Sequence, residues 1–140
     1  MEIKDVITAI SIKLYETFGE AYEIYTESIE QGFQEPAFFI SLLNPDKNQV
    51  IGNRYHKTLP FDIHYFGRGN MDAYGTLDKL MDEMEYIKLL NGSLLRGTKM
   101  KGEVVDGVLH FFVHYNFHVY KATDPVPMME ELSIKNDLKR

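Results

Sequence analysis

Asp106-Gly107 stands between two long runs of alternating apolar and polar residues, and this dipeptide constrains the fold more than any other feature. A two-residue hairpin turn needs positive φ at its centre, which Asp and Gly tolerate, and its twist matches that of paired strands. From Val108 to Tyr120, Leu109, Phe111, Val113, Tyr115, Phe117 and Val119 alternate with His110, His114, Asn116 and His118. A period of two sends one set into a core and the other to the opposite sheet face. The spacing therefore predicts an antiparallel hairpin, Leu94 to Val105 and Val108 to Tyr120.

The rest of the chain must cover one face of that hairpin. Ile3, Ile7, Ile10, Leu14 and Phe18 recur in steps of three and four and predict a helix over Asp5 to Phe18. Asp5 can cap its first turn, and Gly19 can end it. Tyr22, Ile24 and Thr26 alternate with polar neighbours and predict a strand. Ser28 to Glu35 reads as a polar loop around Gly32 that projects Phe33. Ala37 to Leu43 is a nearly continuous apolar run, as in a strand covered on both faces. Asn44 to Asn48 has the composition of a turn.

A long strand follows, with Tyr55, Lys57, Leu59, Phe61, Ile63 and Tyr65 on one face and Arg54, His56, Thr58, Asp62 and His64 on the other. Pro60 within it has no N–H to give a ladder, which predicts an edge strand or a bulge. Leu77, Leu80, Met81, Met84, Ile87 and Leu90 form the stripe of a second helix over Asp72 to Leu90. The order is α-β-β-β-α-β-β. It implies an α+β domain with two helices packed on a mixed, mostly antiparallel sheet. Residues 1–124 read as one domain, and 125–140 as a polar C-terminal extension.

Composition narrows the function. Fifteen Lys and Arg against 21 Asp and Glu give a net charge of −6, unlike the basic excess that grips a nucleic-acid backbone. Cysteine is absent, which removes disulfides, thiol nucleophiles and cysteine metal ligands and fits assembly in a reducing cytoplasm. No apolar run approaches the roughly 18 residues of a membrane span, and no signal peptide or membrane partner is expected. His110, His114 and His118 recur every four residues, but on a strand that spacing covers about 13 Å. One zinc ion holds its nitrogen ligands at roughly 2 Å, so neighbours in this series cannot share one. A metal-dependent enzyme built on His64, His110 and His114, with Asp62, is the alternative from a different class. No His-Glu-x-x-His motif or nucleophile elbow supports catalysis. Catalytic, metal and cofactor sites are accordingly expected to be none. With 9 Tyr and 9 Phe, surface aromatics remain, and such side chains are favoured at protein interfaces.

Three segments carry a resemblance to a known family: Ile24 to Ile40, then Asn53-Arg54-Tyr55 through Phe61 to Phe66, and lastly Tyr115 to Tyr120 with Pro127 to Glu130. In that order they resemble the tail terminators of bacteriophages and defective prophages of Gram-positive hosts. The resemblance implies a non-enzymatic protein of the virion tail, assembled in the host cytoplasm. It implies a hexameric ring that caps the head-proximal end of the tail tube and stops its growth. The partners implied are the tube protein, a neck or head-completion protein, and a sheath protein where the tail is contractile, with DNA only passing through the lumen. Another head–tail joining protein is the alternative within that class. Gln31, Gly32 and Phe33 in the first loop, and Arg54 and His56 on the long strand, are the expected interface residues because they are polar or exposed within the matching segments.

Overall fold

The computed structural model describes residues 1–26 and 32–122. They form two helices, α1 (Ile3–Phe18) and α2 (Asn70–Glu83), and seven strands. The strands are β1 (Glu23–Tyr25), β2 (Ala37–Leu42), β3 (Asp46–Ile51), β4 (Arg54–Phe66), β5 (Tyr86–Lys88), β6 (Leu94–Val105) and β7 (Val108–Tyr120). Their order in the sheet is β1-β2-β4-β7-β6-β5, with β3 alongside β4. β1 and β2 run parallel and the remaining pairs antiparallel. The α+β class and the mixed, mostly antiparallel sheet agree with the sequence. The expected extension over 125–140 lies outside the described residues.

The hairpin forms where the dipeptide demands it. Asp106 and Gly107 take φ of 51° and 79°, and Val105 faces Val108 across the turn. The apolar sets of β4 and β7 then point the same way: Leu59, Phe61, Ile63 and Tyr65 meet Leu109, Phe111, Val113 and Tyr115, all buried. Val6, Ile10 and Leu14 of α1 and Leu80 of α2 cover this face and complete one continuous core. Burying each such side chain contributes about 1.5–3 kcal/mol, so this layer dominates the stability of the fold. Phe38 ties α1 to the sheet, with ring centroids 4.8 Å from Phe18 and 5.0 Å from Tyr65.

Four local expectations are corrected. α1 starts at Ile3, and Asp5 lies one turn inside it, where its carboxylate accepts the Glu2 N–H at 2.7 Å. Residues 46–48 of the expected turn belong to β3, which runs on to Ile51 as an exposed strand along β4. It lacks the apolar alternation that marks a half-buried strand, so composition alone reads it as a turn. Pro60 lies in the middle of the sheet, since β4 pairs with β7 along one side and with β2 and β3 along the other. Its carbonyl accepts the Leu43 N–H at 2.8 Å, so its nitrogen also faces the junction where β2 gives way to β3. The missing donor therefore costs no bond to β7.

The fourth correction is the length of α2, which ends at Glu83 and not at Leu90. Met84 and Glu85 offer carbonyls that continued helix would use, but the sheet takes them. The Tyr115 hydroxyl donates to Met84 O at 2.6 Å, and Gly97 N–H donates to Glu85 O at 2.6 Å. Gly97 is required for that approach: a Cβ there would lie 2.8 Å from Met84 O and from Val113 Cγ2. Ile87 stays buried as the middle residue of β5, while Leu90 is exposed.

The turn from β4 into α2 is fixed by one carboxylate. Asp72 Oδ2 accepts the Tyr65 hydroxyl at 2.6 Å and the Arg68 N–H at 2.9 Å. The Tyr65 hydrogen bond above all, then the Arg68 amide, holds Asp72 below the usual carboxylate range. A carboxyl with a lowered folded pKa adds stability that is whole above its unfolded value of about 3.9 and is lost as pH falls through the folded one. Urea denaturation should therefore show the wild type losing its advantage over Asp72→Asn between about pH 4 and lower values. An advantage unchanged by acid would mean that the carboxylate charge does not matter there.

Candidate functional site on the helix-free sheet face

The polar alternate positions of β4 and β7 face away from both helices and lie side by side. In register they pair Arg54 with Tyr120, His56 with His118, Thr58 with Asn116, Pro60 with His114, Asp62 with Phe112 and His64 with His110. The helix-free face thus gathers all five histidines of the chain. It divides into three stations along β4.

The central station is Asp62, His64 and His110. Asp62 Oδ2 lies 2.8 Å from His64 Nε2 and 3.0 Å from His110 Nδ1, and the two imidazoles stand with centroids 4.5 Å apart. Asp62 is only 7% exposed, and its Oδ1 is buried with no hydrogen-bond partner among the described residues. Burial raises the Asp62 pKa, but the hydrogen bonds from His64 and His110, with their charge, outweigh it and bring the group below its ordinary value. Of the His64, His110 and His114 grouped from the sequence, the register joins His64 to His110 and leaves His114 apart. His114 sits opposite Pro60 and Thr98, four residues further along β7. Desolvation, and then the charge of Lys99, lower the His114 pKa. The register of β4 on β7 decides this grouping, and no local signal carries it across the 43 residues between Tyr65 and Leu109.

At one end stands an aromatic patch. Phe33 lies edge-on to Phe39 at 5.2 Å and tilted on Phe66 at 4.9 Å, while Tyr25 stacks on Phe39 at 4.8 Å. Phe33 is therefore half-buried against its own sheet, not held out alone by its loop. Gly32 beside it is exposed with φ of 84°, a conformation that side-chain-bearing residues rarely adopt. Gln31 lies outside the described residues.

At the other end Arg54 and His56 meet β7. His56 and His118 are 4.9 Å apart between centroids, and the buried Arg54 Nε has no partner. Desolvation, followed by the charges of Arg54 and His56, lowers the His118 pKa. Twelve residue steps along extended β4 lead from Arg54 to Phe66, a path of about 40 Å. The structure thus brings Arg54 and His56 together but sets them far from Gly32 and Phe33. Gly32 and Phe33, and Arg54 and His56, lie at two ends of β4.

The family model described as "Phage tail terminator protein" matches residues 5–127. The chain belongs to the phage tail terminator family. The match runs from the first turn of α1 past the end of β7, so the core, the hairpin and all three stations of this tail terminator lie within it. The family fixes its setting as the phage tail. A search of curated proteins gave no match. Among the described residues, no helix of this tail terminator is long and apolar enough to cross a membrane.

Proposed function

We propose that this chain closes the head-proximal end of the tail tube as a six-membered ring, stops tube growth and presents a surface to the neck. The observation that carries this reading is the family match over nearly the whole chain. It supports a structural rather than a catalytic role. The sheet geometry supports a ring. β3 lies along one side of the sheet and the far half of β6, beyond Gly97, along the opposite side, and neither is paired outward among the described residues. A closed ring needs a heterologous contact, in which two unlike surfaces of one subunit meet. Opposite open edges of one sheet offer such surfaces, and each contact should bury on the order of 1,000 Å².

The helix-free face then serves the partners. The Phe33 patch is an aromatic anchor for the tube protein, and the Arg54–His56 end is a second contact for the neck or, in a contractile tail, the sheath. The net charge of −6 suits a passage through which DNA moves without being held. Deleting the gene tests the reading. Electron micrographs should then show overlong tubes and heads without tails, and labelled wild-type particles should carry six copies at the tube's head-proximal end. Tails of normal length joined to heads in the deletion strain would overturn the capping role. Copies located elsewhere in the neck would favour another head–tail joining protein.

A further inference from the structure

We propose that Asp62, His64 and His110 form a binding site for one divalent transition-metal ion, with zinc as the best-suited ion, which ties β4 to β7. The three candidate ligand atoms lie within 4.8 Å of one another, two from β4 and one from the neighbouring strand. Imidazole and carboxylate donors suit zinc, whose bonds to them are about 2.0–2.2 Å. Ligands at those lengths around a tetrahedral ion stand about 3.3 Å apart. The Asp62 oxygen already lies 2.8 Å and 3.0 Å from the two ring nitrogens. To hold an ion, the Asp62 oxygen moves out by a few tenths of an ångström and the two ring nitrogens, within 4.8 Å of each other, draw together by side-chain rotation.

A second observation points the same way. Two imidazole N–H groups can satisfy Asp62 Oδ2, but they leave Oδ1 buried and unpartnered. An unpaired buried acceptor of this kind gives up its hydration with nothing in exchange, so a fold that keeps one calls for a partner. A cation seated between the rings supplies it, because a carboxylate can bind through both oxygens. The site is also preorganised. Its ligands stand on the two most extensively paired strands, and the Phe112 ring lies nearly parallel to His110, 14° off, at 6.2 Å. His64 and His110 keep 28% and 23% of their side-chain surface exposed, so the fourth position opens outward to water.

Spacing along β7 excludes a site shared by His110 and His114, and this site does not need one: its ligands come from adjacent strands. The inference holds whether or not the chain caps a tube.

The test uses the full chain, purified without a histidine tag, stripped with a chelator and dialysed against zinc. Elemental analysis should find about one zinc per chain, and cobalt in its place should give the visible bands of a four- or five-coordinate site. His64→Gln and His110→Gln should each lower zinc affinity by about 100-fold, with circular dichroism confirming the fold. His114→Ala, on the same face but outside the cluster, should stay within about 2-fold of wild type. Should both glutamine variants misfold, the cobalt spectrum of the wild type decides alone. Wild type that retains well under one equivalent, or octahedral cobalt bands, would overturn the site, as would equal losses in His114→Ala and His110→Gln.

Discussion

Phe111→Ala is expected to cost about 3–5 kcal/mol, the range for emptying a buried phenylalanine site. Phe111 is fully buried near the middle of β7, between Ile63 on β4 and Gly102 on β6. Its surroundings cannot close over the gap. Both flanking strands are held by their ladders, and Leu77 of α2 already fills the space above Gly102, where a Cβ would come within 2.5 Å of its methyl carbons. Domains are stable by only about 5–15 kcal/mol, so the variant should unfold at much lower urea and be partly unfolded near body temperature. Phe112→Ala, one residue along but on the helix-free face, should cost about 1 kcal/mol or less. Similar losses at the two positions would mean that the alternation does not separate core from surface.

The same alternation made the centre of the fold legible. Asp106-Gly107 and the period-two runs around it place β6, β7 and the inward set of β4 without any knowledge of the tertiary structure. α1 is legible for a parallel reason, because five apolar residues repeat at helical spacing. Where burial leaves no pattern, the reading fails. β3 is exposed along its whole length, so nothing in residues 46–51 marks a strand. The end of α2 fails differently. Leu80, Met84 and Ile87 fit a helical stripe and are all buried, yet the last belongs to a strand. What ends the helix is the competition of Tyr115 and Gly97 for the carbonyls of Met84 and Glu85, which arrive from elements ten or more residues away.

The functional face shows the same division. The sequence places Arg54, His56, Asp62 and His64 together on one side of a strand, and the structure agrees. Which histidine meets which is a matter of register between β4 and β7, and that register sets His110 beside His64 and leaves His114, the third of the expected trio, four residues away opposite Pro60. Phe33 was legible as an aromatic in a polar loop, but its resting place against Phe39 and Phe66 depends on the antiparallel register of β2 on β4.

That resting place sharpens what Phe33→Ala should do. A half-buried ring held by two others loses little freedom when a partner covers it, so more of its contact area counts towards binding. Truncating such an anchor commonly costs about 2 kcal/mol or more, some 30-fold in affinity for a single contact. In the proposed ring each contact would be linked to its neighbours, so a modest loss per subunit would multiply across the whole cap. Purified Phe33→Ala should therefore keep its circular dichroism spectrum with a melting point a few degrees lower, and still fail to cap tubes at concentrations that suffice for wild type. Tyr15→Ala, removing a half-exposed aromatic from α1 on the other side of the sheet, should cap normally. Full capping by Phe33→Ala would remove the aromatic patch from the contact while leaving the terminator role to the deletion strain. Equal loss in the two variants would point instead to a general weakening of the fold, since Tyr15 and Phe33 share no element and no neighbour among the aromatic pairs.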